Sequence, residues 1–144
     1  MGAVLTRQGL DAVDMEQLRP FVRESEWFYQ PAGVEHYKLL AYLSTFFQGK
    51  TIFDIGSHLG DSAHALAYNA LNHVESFDIV DQISATRRLR SNITYNTANL
   101  FEPATREHWK AALLASPLIF IDIEPHDGRP EYELIRWLQA HKYA

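Results

Sequence analysis

The chain has 144 residues, a length typical of one domain, and 47% of them are hydrophobic, which is enough to build a core. It contains no cysteine, which excludes disulfides, zinc–thiolate sites and thiol catalysis. The formal net charge of −5 does not indicate a basic surface for nucleic acid. No apolar run approaches the roughly 20 residues that cross a bilayer. We therefore expect a cytoplasmic protein that binds neither nucleic acid nor membranes.

The first 33 residues are predicted to form a peripheral N-terminal part. Leu10–Arg23 carries apolar residues at helical spacing, and Pro20 is expected to end or kink that helix. Trp27–Gly33 is rich in aromatic and turn residues, which predicts a loop whose rings pack on the core. The alternative for this segment is a lid or substrate wall beside a ligand.

Residues 34–144 are predicted to form the core, which begins with a helix over Val34–Phe47. The β-branched and aromatic run Thr51–Ile55 then predicts a buried strand. A turn with two glycines follows, and Asp61 and Ser62 are expected to cap the next helix. A strand, a glycine turn and a helix N-terminus together turn backbone N–H groups toward a polar ligand.

Asp54 lies inside the apolar strand, where a carboxylate is costly unless it meets a cation or hydrogen-bond donors. At the carboxyl end of a central strand it would lie at the edge where α/β sheets bind ligands. The alternative is that Asp54 caps a nearby loop and that the glycines serve only a tight turn.

The pattern Asp54-x-Gly56-Ser57-x-x-Gly60-x-Ser62 resembles motif I of class I S-adenosylmethionine-dependent methyltransferases. The dinucleotide fingerprint G-x-G-x-x-G matches less well, because His58 stands where that fingerprint has glycine. The resemblance implies an α/β, Rossmann-like sheet with helices on both faces and about four parallel strands in the order 3-2-1-4. It also implies which residues of the loop bind the methionine end of the cofactor: Asp54, Gly56, Ser57, Gly60 and Asp61.

A second strand is predicted to end near Asp78, about 24 positions after Asp54. An acid at the tip of this strand holds ribose hydroxyls in Rossmann-like sheets, and a carboxylate can accept two of them at once. Asp81 is the rival, but it is better placed to cap a helix predicted over Gln82–Arg90. The further alternative is that Asp78 is a solvated acid at a strand end.

Three arginines, Arg87, Arg88 and Arg90, are expected to form a solvated face of that helix. The alternatives are that they pair with acids elsewhere in the chain or contact an anionic partner. Asn92–Asn96 then predicts a weaker third strand. By the resemblance, Asn99 after this strand binds the adenine, since an amide offers both a donor and an acceptor.

The apolar run Pro117–Ile123 follows a helix predicted over Arg106–Leu114 and predicts the fourth strand. It resembles the fourth-strand motif of small-molecule methyltransferases, which implies catalytic roles for Asp122 and His126. His126 suits a general base because an imidazole side chain can accept a proton from a substrate hydroxyl or amine. The alternative is that His126 is a loop histidine that orders the turn. We assign no metal ligands, since one carboxylate does not make a metal site, and whether a divalent metal is used stays open.

A final helix is predicted over Glu131–His141, where the family's sheet would continue with further strands. We therefore expect one methyltransferase-like domain, C-terminally incomplete, with an apolar edge at Ile119–Ile123. Two explanations stay open: the chain is part of a longer protein, or a partner such as a second copy covers that edge.

The resemblance implies an enzyme that transfers a methyl group from S-adenosylmethionine to oxygen or nitrogen of a small-molecule acceptor. The acidic charge balance favours such an acceptor over nucleic acid. Two other functions stay open. One is a methyltransferase-like binding or scaffold domain without activity, and the other is a protein that binds a nicotinamide dinucleotide.

Overall fold

The computed structural model describes residues 4–143. They form one sheet of four strands, with seven α-helices and two single turns of 3-10 helix around it. The helices are α1 Arg7–Asp11, α2 Arg19–Val22, α3 Glu26–Tyr29, α4 Pro31–Ser44, α5 Asp61–Leu66, α6 Pro103–Ala115 and α7 Arg129–Ala140. The strands are β1 Thr51–Ile55, β2 His73–Asp78, β3 Ile93–Thr97 and β4 Ile119–Ile121.

The four strands are parallel and lie in the order β3-β2-β1-β4, so the predicted α/β class and strand order are confirmed. β1 and β2 are the central strands, and Asp54 of β1 stands directly opposite Ser76 of β2. The ends of β1 and β4 stay together because the Asp122 N–H donates to the Ile55 carbonyl oxygen at 2.9 Å. This register brings the loops that follow all four strands to one edge of the sheet.

Alternate residues of β1 enter two separate hydrophobic clusters, as the period of a strand requires. Ile52 packs with Leu40 and Leu66, which belong to α4 and α5. Phe53 and Ile55 pack on the opposite face with side chains of α6 and α7, including Leu113. Because both faces of the sheet are covered, β1 reads as an apolar run that only Asp54 interrupts, and this made it predictable.

The helix predicted over Leu10–Arg23 is wrong, because this stretch forms α1, a 3-10 turn at Met15–Leu18, and α2. The Asp14 carboxylate accepts the Glu16 N–H at 3.0 Å, which starts a new turn in the middle of the predicted helix. Pro20 lies in the first turn of α2, so it starts a helix and does not end one.

The aromatic segment predicted as a loop contains helix α3 and the first turn of α4. Ser25 caps α3, since its hydroxyl accepts the Phe28 N–H at 3.2 Å. Phe28 is fully buried and stacks on Tyr37 with ring centroids 4.7 Å apart, whereas Trp27 is mostly exposed. The predicted packing of this segment on the core therefore rests mainly on Phe28.

The helix predicted over Gln82–Arg90 is also wrong, because only a 3-10 turn at Arg87–Leu89 forms there. The Asp81 carboxylate accepts the Ile83 N–H at 3.1 Å and pairs with the Arg88 guanidinium, so it orders a local turn. Arg87 is buried and not part of a solvated face. Its ion pair with the core is described with the site below.

β3 and β4 are the two edge strands of the sheet. β4 is half-buried, and an apolar groove lies between it and α7, lined in part by Ile121, Ile135 and Leu138. None of the helices in residues 4–143 is both long and apolar enough to span a membrane.

Candidate functional site

A cleft of about 620 Å³ opens at the carboxyl edge of the sheet, where the loops after all four strands meet. This volume lies within the range of small-molecule and cofactor sites. Most of the predicted site residues line it: Gly56, Ser57, Asp61, Asp78, Asn99, Asp122 and His126. Asp54 and Gly60 lie outside the lining, Asp54 beneath the cleft and Gly60 at the start of α5.

The glycine loop follows β1 and forms the floor of the cleft. Gly56 has φ +106°, and a Cβ at this position would lie 1.8 Å from the Asp122 carbonyl oxygen. Gly60 has φ +92°, and a Cβ there would lie 2.8 Å from the Tyr95 hydroxyl. Gly56 therefore needs glycine both for its backbone conformation and for space, and Gly60 needs it mainly for its backbone conformation. Gly60 also occupies the N-cap position of α5, so the predicted capping by Asp61 and Ser62 is wrong.

A chain of hydroxyls connects the buried Asp54 to the cleft floor. The Ser76 hydroxyl donates to Asp54 Oδ2 at 2.6 Å, and Ser57 Oγ lies 2.6 Å from Ser76 Oγ. Asp54 Oδ1 has no hydrogen-bond partner among the described residues, although the Ser62 hydroxyl lies near enough to favour the charged form. Burial raises the pKa of Asp54 to about 7, against the opposing effect of the hydrogen bond from Ser76 and of the nearby Ser62 hydroxyl.

Asp78 lies at the tip of β2, where the sequence predicted a ribose-binding acid, and it lines the cleft. Its Oδ2 accepts the His58 N–H at 2.7 Å, and its Oδ1 accepts the Val80 N–H at 3.3 Å. Each carboxylate oxygen retains a further acceptor position. Asp78 therefore both fixes the glycine loop and has capacity to bind ligand hydroxyls.

Asp61 lines the cleft, but its carboxylate is engaged by the protein on both oxygens. Arg87 donates to Oδ1 at 2.5 Å, and the Ser25 hydroxyl donates to Oδ2 at 2.6 Å. Both Asp61 and Arg87 are buried, so each compensates the charge of the other. The arrangement makes Asp61 mainly a structural support of the cleft wall.

The loop after β3 forms the wall on the far side of Asp78. The Ala98 N–H donates to the Asp78 carbonyl oxygen at 2.9 Å, so this loop is tied to the end of β2. Asn99 lines the cleft, and its Oδ1 accepts the Phe101 N–H at 2.9 Å. The carboxamide oxygen is thus partly used within the loop, and the amide NH₂ is the group suited to donate to a ligand.

The segment after β4 forms the open side of the cleft. His126 Nε2 lies 2.9 Å from Glu124 Oε1, and its Nδ1 lies 3.7 Å from Asp122 Oδ1. The side chains of Asp122, Glu124 and His126 are 53%, 80% and 61% exposed. Among residues 4–143 no group of three His, Asp or Glu side chains is arranged to hold a metal ion.

Several residues of the site were not predicted as site residues. Tyr37 lines the cleft from α4, and burial raises the pKa of its hydroxyl to about 12, so it stays a neutral donor. Ser76 and Arg87 act beneath the surface, through Ser57 and Asp61. No local pattern marks these residues, because the contacts arise from strand register and from a long-range ion pair.

The charge of the cleft is negative. Its lining within the described residues contains no lysine or arginine. It contains four carboxylates, of which Asp61 is neutralised by Arg87; the other three are Asp78, Asp122 and Glu124. Such a cleft disfavours phosphate-rich ligands and favours those that carry positive charge or several hydroxyl donors.

A scan against protein-family models gives no match for this chain, and a search of curated proteins gives none either. The geometry and the electrostatics of the cleft are therefore the guide to its function.

Proposed function

We propose that this chain binds S-adenosylmethionine in the cleft and directs transfer of its methyl group to a small-molecule acceptor. The observation that carries the proposal is the convergence, in one cleft of about 620 Å³, of the glycine loop with Asp78, Asn99 and Asp122. These groups come from the ends of four different strands, so no local turn requirement explains their meeting.

The residues present fit this cofactor. Asp78 has acceptor positions left for the two ribose hydroxyls, and the Asn99 amide can donate to an adenine nitrogen. The methionine part then extends over Gly56 and Ser57, where no Cβ of residue 56 obstructs the backbone. The positive charge of the sulfonium and ammonium groups suits a lining whose described residues include no lysine or arginine.

When bound, S-adenosylmethionine supplies a methyl group on a sulfonium, which is a good leaving group. The protein then has mainly to hold an acceptor in line with that methyl. Asp122 and His126 line the cleft and are more than half exposed, so an acceptor that enters from solvent would meet them. His126 can take a proton from an acceptor hydroxyl or amine, and the neighbouring Glu124 carboxylate would stabilise the resulting imidazolium.

The openness of this side favours a second candidate, in which the chain binds the cofactor without transferring the methyl group by itself. Asp122, Glu124 and His126 are each more than half exposed, and methyl transfer needs an acceptor that is firmly aligned. Formation of S-adenosylhomocysteine by the isolated chain with small hydroxyl and amine acceptors would distinguish the two. A nicotinamide dinucleotide is disfavoured, because its pyrophosphate would meet several carboxylates and, among the described residues, no lysine or arginine in the cleft lining.

Replacing Asp78 by alanine tests the proposal. We expect S-adenosylmethionine binding to weaken by about 1.5–3 kcal/mol, the scale of hydrogen bonds to a charged group. The measurement is isothermal titration calorimetry at pH 7. Asp81→Ala is the matched control, since Asp81 is an exposed acid three positions after Asp78 that does not line the cleft. The affinity of this variant for S-adenosylmethionine should equal that of the wild type.

A second variant separates ligand binding from support of the loop. Asp78→Asn keeps an acceptor for the His58 N–H but removes the negative charge. An affinity loss that persists in Asp78→Asn reports on the ligand. Wild-type affinity in both variants would remove Asp78 from the site and contradict the proposal.

A further inference from the structure

The segment after β4 places a histidine between two carboxylates. His126 Nε2 lies 2.9 Å from Glu124 Oε1, and His126 Nδ1 lies 3.7 Å from Asp122 Oδ1. All three side chains line the cleft and are more than half exposed, so a molecule that enters from solvent would meet them. Their arrangement therefore bears on which methyl acceptor the cleft can take.

The contact with Glu124 determines where a neutral His126 ring carries its proton. An ionised carboxylate has lone pairs and no proton, so it attracts a ring nitrogen 2.9 Å away only if that nitrogen carries hydrogen. A neutral ring protonated on Nε2 has a lone pair on Nδ1. Nδ1 and Asp122 Oδ1 are then two hydrogen-bond acceptors, 3.7 Å apart.

Two acceptors at this separation need donors from a third group. A distance of 3.7 Å is too long for a direct hydrogen bond, and one nitrogen placed beside both atoms would lie within hydrogen-bond reach of each. A hydroxyl has a single hydrogen and can satisfy only one of the two, whereas a primary or secondary ammonium has at least two N–H donors. Asp122 and His126 therefore suit an ammonium better than an alcohol.

The charge of the cleft favours the same class of acceptor. The described lining contains no lysine or arginine, and its two histidines, His58 and His126, are its basic side chains. An acceptor with a carboxylate or phosphate group would be repelled by Asp122 and Glu124, whereas a cationic amine would be attracted by both.

We propose that the methyl acceptor is a primary or secondary amine, bound as an ammonium by Asp122 Oδ1 and His126 Nδ1. The inference rests on the proposed function and names the class of acceptor for that reaction. Glu124 is a positioning residue, because it acts through the proton on His126 Nε2.

The proposed step balances in protons and electrons. The ammonium passes one proton to His126 Nδ1, and the lone pair that this leaves on the amine nitrogen forms the new N–C bond to the methyl group. The C–S bond breaks, and its electron pair stays on sulfur. The product amine is again an ammonium, and the exposed His126 imidazolium returns its proton to solvent.

The test measures binding of three probes to the chain saturated with S-adenosylhomocysteine. Phenethylamine is the ammonium probe, 2-phenylethanol has oxygen in place of its nitrogen, and N,N,N-trimethylphenethylammonium keeps the charge without an N–H. NMR of the His126 ring nitrogens at pH 8 follows each titration. We expect saturable shifts with phenethylamine and about tenfold weaker binding of the other two probes. Equal affinity for phenethylamine and either analogue, or no shift with phenethylamine at millimolar concentration, would overturn the proposal.

Asp122→Asn removes one of the two proposed contacts to the ammonium. We expect it to weaken phenethylamine binding about tenfold and to leave 2-phenylethanol binding unchanged. Asp127→Asn is the matched control, because Asp127 belongs to the same segment, does not line the cleft, and accepts the Arg129 N–H at 3.0 Å, which asparagine can also do. This control should bind phenethylamine like the wild type. Similar losses in both variants would show that only the overall charge acts, against the proposal.

The same spectra test the positioning role of Glu124. In the wild type the nitrogen shifts of a neutral His126 ring should show the proton on Nε2. Glu124→Ala should give a mixture of tautomers and a smaller preference for phenethylamine over 2-phenylethanol. Glu124→Gln keeps an oxygen that can accept the Nε2 proton and should restore the wild-type tautomer. A wild-type ring protonated on Nδ1 would contradict the proposed arrangement.

The failure of the inference and of the proposed function can be told apart. If the wild type binds S-adenosylhomocysteine but does not prefer phenethylamine over the two analogues, only the inference fails. If the wild type does not bind S-adenosylhomocysteine, the proposed function fails and the inference with it.

Discussion

Replacing Gly56 by alanine is expected to lower the free energy of unfolding by more than about 3 kcal/mol. The new Cβ would lie 1.8 Å from the carbonyl oxygen of Asp122 and 3.1 Å from a methyl carbon of Ile123. The obstructing oxygen is backbone, so it cannot rotate away, and the end of β4 would have to separate from β1. The φ of +106° adds strain for any residue with a Cβ.

Gly49→Ala is the matched control for this prediction. Gly49 also has a positive φ, of +64°, but nothing lies within 4 Å of the place that a Cβ would occupy there. This variant should therefore lose only the cost of backbone strain, about 1–2 kcal/mol. Urea denaturation followed by circular dichroism measures both values. Equal destabilisation in the two variants would show that the close approach of the Gly56 loop to β4 is absent.

Two buried groups, Asp54 and His64, are expected to change the free energy of unfolding in opposite directions as the pH rises. Burial raises the pKa of Asp54 from 3.8 to about 7 and lowers the pKa of His64 from 6.5 to about 4. His64 is buried with its Nδ1 2.8 Å from the Gly60 carbonyl oxygen, and its Nε2 has no partner among the described residues. A neutral imidazole that donates through Nδ1 fits these contacts.

The signs follow from proton binding in the folded and unfolded states. Asp54 holds a proton in the folded state that the unfolded state has lost above pH 3.8, so its contribution to stability falls as pH rises toward 7. His64 is neutral when folded and protonated when unfolded, so its contribution rises from about pH 4 to 6.5. Between pH 4 and 6.5 the two contributions oppose each other and largely cancel.

Asp54→Asn removes the contribution of Asp54 to this pH dependence and leaves that of His64. Relative to the wild type, its free energy of unfolding should rise between pH 4 and 6.5 with a slope that approaches about 1.4 kcal/mol per pH unit, which amounts to roughly 3 kcal/mol in total. His64→Gln, which keeps a donor for the Gly60 carbonyl, should give the opposite slope. Comparison with the wild type cancels the titration of exposed carboxylates. Profiles parallel to the wild type would mean that neither group titrates abnormally.

The sheet could be predicted from the sequence because its information is local. Thr51–Ile55 is apolar, β-branched and aromatic, and glycine ends it, so strand and turn follow from residue type alone. Parallel strands connected by helices then place the strand tips at one edge. For that reason Asp78 could be assigned to the lining of a cleft without knowledge of the side-chain contacts, and Asn99, which the resemblance implied, lies in the same lining.

One part that could not be predicted depends on a local side-chain hydrogen bond, and the others depend on distant contacts. The spacing of Leu10–Arg23 suits a helix, but the Asp14 side chain starts a separate turn there. Arg87 belongs to a run of arginines typical of a solvated surface, and only the folded chain brings it to Asp61. Ser76 is an ordinary strand residue until the register places it opposite Asp54.

The most direct test of the cleft's proposed ligand is calorimetric titration of the purified chain at pH 7 with S-adenosylhomocysteine and, separately, with NADH. We predict saturable binding of the nucleoside thioether with one site per chain and no binding of the dinucleotide. Absence of heat with S-adenosylhomocysteine at millimolar concentration, or tight binding of NADH, would contradict the assignment of the cleft.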